Sequence, residues 1–244
     1  MRLDKYLGHA GIGTRTEIQK MIKKKLVRVD GVVVNKPNMA INPDTQQVYF
    51  NNQLIEYKEF YYFILNKPAG VISATSDSMH ETVIDLLYEE DQNKKVAPVG
   101  RLDKDTEGLL ILTNDGKMTH KLLSPKKHIE KVYYAVVSGK LVPNAVEQFE
   151  NGITLEDDTE CKPAGLEIIS QDEDEAEVFV TLTEGKFHQV KRMINVVGGE
   201  VTFLQRVKMG NLELPDDLEC GEYRELTEEE LRLLQGEDDV FTSN

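Results

Sequence analysis

The sequence predicts an α+β protein in which a small N-terminal unit precedes a larger C-terminal one. Three observations in its 244 residues support this fold class. Apolar side chains recur at helical spacing over the first 25 residues. Two valine-rich runs flank Asp30-Gly31, a pair typical of a β-hairpin. Residues 108–112 carry no polar side chain and lie between turn signals, which indicates a buried strand.

The N-terminal unit begins with a short amphipathic helix over residues 2–9. Thr14 and Glu17 have the spacing of a capping box, so a second helix should begin there. Residues 27–29 and 32–34 form the predicted hairpin, and residues 48–50 and 54–55 flank a weaker turn at 51–53. Residues 56–59 are polar. We therefore expect a first domain over residues 1–58.

The elements of the C-terminal unit follow from the same patterns. We expect this domain over residues 59–236 and a flexible acidic tail over residues 237–244. The predicted strands cover 60–65, 108–112, 178–182 and 201–204, and the stretch 126–137 contains a further strand with Tyr133 and Tyr134. The predicted helices cover 81–90, 117–123 and 143–150, and a further helix follows Gly185 and carries Lys191 and Arg192. Paired cations at a helix start suit an anion.

The amino-acid composition limits the classes of protein to which this chain can belong. Hydrophobic residues make up 40% of the chain, enough for a packed core, but no run of 18 apolar residues predicts a membrane span. No signal peptide is visible at the N-terminus, so we expect a cytoplasmic protein. Cys161 and Cys220 lie far apart and outside any zinc-binding spacing, so we expect neither a disulfide framework nor a metal site.

The charge distribution predicts a polyanion-binding head. Residues 1–58 contain ten basic and five acidic side chains, a net charge of +5. Since the whole chain carries −14, the remainder carries −19. A basic module on an acidic body is typical of a chain that binds nucleic acid through one unit. The alternative is that the lysine-rich helix face is merely solvated.

The most informative stretch precedes the buried strand at residues 108–112. Arg101 and Asp103 lie two residues apart, so in extended chain their side chains point to the same side. On these residues alone, an ordinary surface ion pair and a functional site are about equally supported. Asp105 is a second carboxylate nearby.

Several motifs resemble those of a known family. The stretch GRLDKDTEGLLILTNDG is similar to the central motif of the RsuA-like family of ribosomal RNA pseudouridine synthases. NKPAGV, EKVYYAV and EGKFHQVKRM resemble further motifs of that family, and residues 2–34 resemble the S4 RNA-binding domain. The resemblance implies an S4-type domain followed by a catalytic domain on a mixed, mainly antiparallel sheet with flanking helices.

The resemblance also assigns roles to residues. It implies that Asp103 is catalytic, that Lys191 is its cationic partner and that Tyr133 packs against the target base. Lys191 would hold Asp103 ionised, since a nearby opposite charge favours the charged form. Arg101 is suited to fill the space that a flipped base leaves. We interpret His188 as local scaffold. Contacts to RNA in the S4-like part are expected from Arg2, Lys5, Arg15, Lys20, Lys23 and Lys24.

The implied reaction converts a uridine in RNA to pseudouridine and requires no cofactor, so we expect neither a cofactor nor a metal. We expect ribosomal RNA as partner, free or in a pre-ribosomal particle, and a monomeric enzyme. Small-subunit (16S) rRNA is favoured because the chain is compact and lacks a long basic tail; large-subunit (23S) rRNA is the alternative. The other readings are a non-catalytic RNA-binding protein and a nucleosidase. Whether Asp103 attacks C1′ or accepts a proton stays open.

Overall fold

A computed structural model describes residues 1–236, which form two separate β-sheets with helices packed on them. The N-terminal unit contains two helices, α1 (Leu3–His9) and α2 (Arg15–Lys23). Its strands are β1 (Val27–Val29), β2 (Val32–Val33), β3 (Val48–Phe50) and β4 (Gln53–Ile55), in the sheet order β2-β1-β3-β4. The predicted tail, residues 237–244, lies outside the described residues.

Local signals of the N-terminal sequence are confirmed. Thr14 and Glu17 form the capping box at the start of α2. β1 and β2 pair antiparallel around Asp30 and Gly31, whose φ angles of 50° and 80° are both positive, as a type I′ hairpin turn requires. The second hairpin turn is shorter than expected, because Phe50 pairs with Gln53 and the turn has only two residues.

The C-terminal unit is built on one nine-stranded sheet. The strands are β5 (Tyr62–Lys67), β6 (Ala97–Pro98), β7 (Glu107–Thr113), β8 (Lys131–Ser138), β9 (Gly165–Gln171), β10 (Glu175–Leu182), β11 (Glu200–Met209), β12 (Leu212–Glu213) and β13 (Tyr223–Glu225). The main path of the described sheet runs in the order β13-β5-β7-β11-β8-β10-β9, and along it only the β7–β11 pair is parallel. The helices are α3 (Glu89–Gln92), α4 (Gly116–Leu123), α5 (Ala145–Asn151), α6 (Gln189–Val196) and α7 (Glu228–Gln235). The mixed, mainly antiparallel sheet is therefore confirmed.

Strand β7 separates two cores because successive side chains of a strand point to opposite faces. Leu110 and Leu112 belong to the larger core, which also contains residues of α5 and α6. Leu109 and Ile111 belong to the smaller core, which contains residues of α4 and α7. The apolar run at 108–112 is thus a strand buried on both faces, as the sequence predicts.

The predicted helix over residues 81–90 is wrong. The structure has turns there, and only α3 (Glu89–Gln92) is helical. The backbone N–H and hydroxyl of Thr82 both donate to the Asp85 carboxylate, and Thr82 forms a β-bridge with Ile72. Val83 and Leu87 are buried, so their spacing reflects packing of a turn-rich segment against the core. Within residues 1–236, no helix has the length and apolarity that crossing a membrane needs.

Candidate active site

The loop of residues 99–106 connects β6 to β7 and presents Asp103 to solvent. Its backbone is held by Ser73, whose hydroxyl accepts from the Leu102 N–H and donates to the Leu102 carbonyl, at 3.0 and 2.9 Å. On the other side of Asp103, the Gly70 N–H donates to the Lys104 carbonyl at 2.7 Å. Both neighbours of Asp103 are therefore fixed, while its own side chain stays 32% exposed.

Lys67, at the end of β5, fixes the same loop through hydrogen bonds to its backbone. Its side chain is fully buried. The ammonium donates to the carbonyls of Thr106 at 2.8 Å, Pro68 at 2.9 Å and Lys104 at 3.4 Å. Burial lowers the pKa of Lys67 to about 8, although nearby carboxylates act in the opposite direction. Lys67 thus joins the turn after β5 to the loop that carries Asp103.

Lys191, in the first turn of α6, lies between the two carboxylates of the loop. Its ammonium is 3.9 Å from Asp103 Oδ2 and 2.5 Å from Asp105 Oδ1. The hydrogen bond from Lys191 holds the pKa of the Asp105 carboxyl below its usual value. The structure therefore brings Lys191 and Asp103 together as the sequence predicts, but the closer partner of Lys191 is Asp105, which is 72% exposed.

A second neighbour of the Asp103 carboxylate comes from the segment before α6. His188 Nε2 lies 3.8 Å from Asp103 Oδ1, and the His188 ring stacks on the Phe187 ring with centroids 3.8 Å apart. Gln189 organises this segment, because its side chain accepts from the Lys186 N–H and donates to Glu184. Sequence patterns do not reveal the proximity of His188 to Asp103, since they favour a scaffold role for this histidine.

The remaining predicted site residues occupy two different environments. Arg101 is exposed and makes no hydrogen bond or ion pair within residues 1–236. Tyr133 is only 9% exposed and lies in the same core cluster as Leu102, the neighbour of Asp103. Asp103 therefore has a guanidinium, unpaired among the described residues, two residues before it on the same loop, whereas the Tyr133 ring is buried in the core.

The floor of the site depends on a close backbone approach. Gly108, at the start of β7, faces Arg206 of β11 in the parallel pair. A Cβ atom at Gly108 would lie 2.3 Å from the Arg206 carbonyl oxygen. The buried Arg206 side chain donates through Nε to the Leu109 carbonyl at 2.8 Å. These contacts hold the strand that follows the Asp103 loop against its parallel neighbour.

The basic residues predicted for the N-terminal unit all lie on its surface. Arg2 and Arg15 share one partner, the buried carboxylate of Asp4, at 2.7 and 3.6 Å. The lysines of the set make no ion pair with any described residue; they are Lys5, Lys20, Lys23 and Lys24. The four lysines are therefore free to interact with an anion. Residues 1–236 contain no cluster of His, Cys, Asp or Glu arranged to hold a metal ion.

Comparison with known proteins identifies both units. Residues 61–195 match the RNA pseudouridylate synthase family, and residues 1–46 match the S4 domain. The chain therefore belongs to the RsuA-like family of RNA pseudouridine synthases, with an S4 domain in its N-terminal part. The larger unit is thus a catalytic domain of that class.

Individual relatives extend this similarity over nearly the whole chain. A Bacillus subtilis protein named "Uncharacterized RNA pseudouridine synthase YtzG" is 46% identical, over 96% of this chain and 98% of its own length. The Escherichia coli "Ribosomal small subunit pseudouridine synthase A" is 38% identical, over 95% of this chain and 98% of its own length. A solved structure described as a pseudouridylate synthase aligns with a TM-score of 0.66 at 36% identity, over 96% of this chain and 99% of that one.

Proposed function

We propose that this enzyme converts one uridine of small-subunit (16S) ribosomal RNA to pseudouridine, with Asp103 as its catalytic group and no cofactor. The observation that carries the proposal is the partly exposed Asp103 carboxylate on a loop fixed at both neighbouring residues, 3.9 Å from the Lys191 ammonium. The choice of rRNA rests on the relatives named ribosomal small subunit pseudouridine synthase A, which this chain matches over nearly full length.

The reaction is an isomerisation within one nucleotide. The bond between N1 of uracil and C1′ of ribose breaks, the uracil turns, and its C5 bonds to the same C1′. The C5 proton leaves and N1 gains a proton, so no redox partner or water is consumed. An ionised carboxylate next to the ribose can either attack C1′ or accept a proton. In this proposal Asp103 can take either role.

Lys191 supports this chemistry by compensating two carboxylates at once. The ammonium lies 3.9 Å from Asp103 Oδ2 and 2.5 Å from Asp105 Oδ1, so it offsets the negative charge that two neighbouring carboxylates bring to the site. Tyr133, whose ring is 9% exposed, is the residue that we propose to pack against the target base. Arg101, which is exposed and unpaired within the described residues, can pair with phosphate and fill the space that the flipped uridine leaves.

The N-terminal unit supplies affinity in this proposal. We assign residues 1–58 to RNA binding, because the four unpaired lysines lie on a module with a net charge of +5. Six residues are proposed as its RNA contacts: Arg2, Lys5, Arg15, Lys20, Lys23 and Lys24. A ribosomal RNA substrate also places the enzyme in the cytoplasm. We further propose that it acts as a monomer.

The first experiment maps pseudouridines in both rRNAs from cells with and without this protein. Loss of one site in 16S rRNA supports the proposal, and loss of a site in 23S rRNA instead would move the substrate to the large subunit. Free uracil released from RNA by the purified protein would indicate a nucleosidase. Unchanged rRNA in both subunits would contradict an rRNA substrate.

The second experiment compares two matched variants in vitro. Asp103→Asn removes the charge but keeps the size, so pseudouridine formation should be abolished while RNA affinity stays within a few-fold. Asp105→Asn removes the closer partner of Lys191 and should reduce the rate much less. Pseudouridine assays and binding titrations are run on both. Substantial product from the Asp103 variant, or a dead Asp105 variant beside it, would move the catalytic assignment.

A further inference from the structure

The segment before α6 carries an aromatic surface whose exposure the fold does not explain. The Phe187 side chain is 74% exposed, although burying a phenyl ring is normally favourable. The ring stacks on His188 with an interplanar angle of 18°. His188 in turn lies 3.8 Å from Asp103. One side chain thus joins an exposed ring to the carboxylate proposed as catalytic.

The backbone is shaped to make this stack. Successive side chains of an extended chain point to opposite sides, so neighbouring residues do not stack face to face there. His188 has φ 48° and ψ 36°, the left-handed conformation, which is uncommon for residues other than glycine. Arg192 Nη1 reaches the Phe187 carbonyl at 3.5 Å, and Gln189 holds the preceding residues. A backbone strained in this way next to a reactive group points to a function.

The charges around the stack favour an RNA ligand over a protein one. Lys191 follows in the first turn of α6, and the exposed Arg101, which is unpaired within residues 1–236, lies two residues before Asp103 on the loop that His188 approaches. Unpaired RNA bases are recognised by stacking on aromatic side chains, while nearby cations contact the phosphates. A flipped target uridine necessarily leaves its neighbours with fewer stacking partners. An exposed ring beside the site can take the place of the missing base.

We propose that Phe187, supported by His188, is a stacking platform for an unpaired base next to the target uridine. This inference rests on the proposed function, since it assumes an RNA held at Asp103. In this proposal the target base lies against Asp103, whereas the Phe187 ring, which is 74% exposed, offers its free face to a flanking nucleotide. Phe187 is thereby a substrate-positioning residue that recognises the single-stranded state of the RNA around the target.

The test uses the full-length enzyme and the 16S rRNA fragment that it binds, with three substitutions at Phe187. Phe187→Ala should weaken RNA binding on the order of tenfold, in line with the removal of one base–aromatic stack. Phe187→Trp should keep the wild-type affinity, and Phe187→Leu should resemble Phe187→Ala because an aliphatic side chain offers no ring face. Melting temperatures should be unchanged, because the side chain is mostly exposed.

A matched control comes from Tyr88, which is 73% exposed and contacts the Tyr223 ring instead of the Asp103 loop. Tyr88→Ala should leave affinity within about twofold, because this ring contacts Tyr223 and not the segment that carries Phe187 and His188. Equal reductions of affinity for Tyr88→Ala and Phe187→Ala would contradict the proposed stacking role of Phe187. Equal affinities for Phe187→Leu and Phe187→Trp would contradict it as well.

RNA substrates with abasic nucleotides identify which base stacks on Phe187. Each position flanking the target uridine is replaced in turn, and Phe187→Ala is compared with wild type on every RNA. At one position the variant should cause no further loss of affinity, because the stacked base is already absent; additive effects at every position would refute the inference. If wild type binds this RNA but forms no pseudouridine, the proposed function fails, while the affinity ratios still decide whether Phe187 stacks on a base.

Discussion

Replacement of the buried Lys67 by methionine tests how the loop that carries Asp103 is held. Methionine fills a similar volume but leaves the carbonyls of Pro68, Lys104 and Thr106 without their ammonium donor. A hydrogen bond to a charged group contributes roughly 1.5–3 kcal/mol, so the two short bonds together contribute roughly 3–6 kcal/mol. Against this stands the cost of burying the charge.

That cost follows from the lowered pKa. A change from 10.5 to about 8 corresponds to about 3 kcal/mol at 1.36 kcal/mol per unit. The two contributions largely offset each other at pH 7, where Lys67→Met should lower the free energy of unfolding by roughly 1–2 kcal/mol.

The pH dependence of the free energy of unfolding distinguishes wild type from the Lys67→Met variant. Between pH 8 and 10.5 the unfolded chain holds the Lys67 proton and the folded chain does not, so stability rises with pH in this window. Wild type should gain roughly 2–3 kcal/mol between pH 7 and pH 10 relative to the methionine variant, which has no proton to lose. Titrations of all other groups are common to both proteins and cancel in the difference.

Urea unfolding of both proteins at pH 7, 8, 9 and 10 measures this difference. Lys126→Met, at an exposed lysine, is the control and should show a constant difference from wild type over the same range. A constant or shrinking difference for the Lys67 variant would refute the buried ammonium. Pseudouridine formation at pH 7 should fall strongly in the Lys67 variant, because the loop around Asp103 loses its support.

Two further predictions concern the sheet and the N-terminal unit. Gly108→Ala should lower the free energy of unfolding by about 3 kcal/mol or more in urea, because its Cβ would collide with the Arg206 backbone. Gly116→Ala is the control and should be neutral or stabilising, because nothing lies within 4 Å of a Cβ there. Equal effects of the two substitutions would contradict the close approach of β7 and β11. Replacing Lys20, Lys23 and Lys24 by glutamine should weaken RNA binding and reduce the salt slope by roughly 0.7–0.9 for each phosphate that is no longer neutralised. Lys140→Gln, on the acidic body and paired with Glu173, should leave the slope unchanged; an unaltered slope in the triple variant would remove these lysines from the interface.

The elements that the sequence predicts correctly are those encoded by short-range signals. Asp30-Gly31 defines its hairpin locally, and the short length of the apolar run at 108–112 between turn signals favours the buried strand that the structure has. The segment 81–90 fails because apolar spacing there comes from packing, while Thr82 and Asp85 form a competing local turn.

The site is less predictable than the fold. Motif resemblance supplies Asp103 and Lys191, but it does not show that Asp105 lies closer to the same ammonium. The partners of Lys67 include carbonyl oxygens almost forty residues away, so no local pattern encodes them. The approach of His188 to Asp103 requires a left-handed backbone conformation that sequence periodicity does not report.

The pairing of β5 with β13 has a consequence for how the chain forms during synthesis. Leu65 pairs with Tyr223, and β7 pairs with β11. Strands β5 and β7 of the catalytic sheet therefore cannot complete their pairing until strands much later in the sequence have been translated. The N-terminal sheet is complete once residue 55 has left the ribosome. Since domains fold as units from the N-terminus during synthesis, the RNA-binding unit should become competent while the loop bearing Asp103 is still unassembled. A growing chain would therefore acquire affinity for RNA before it can modify a uridine.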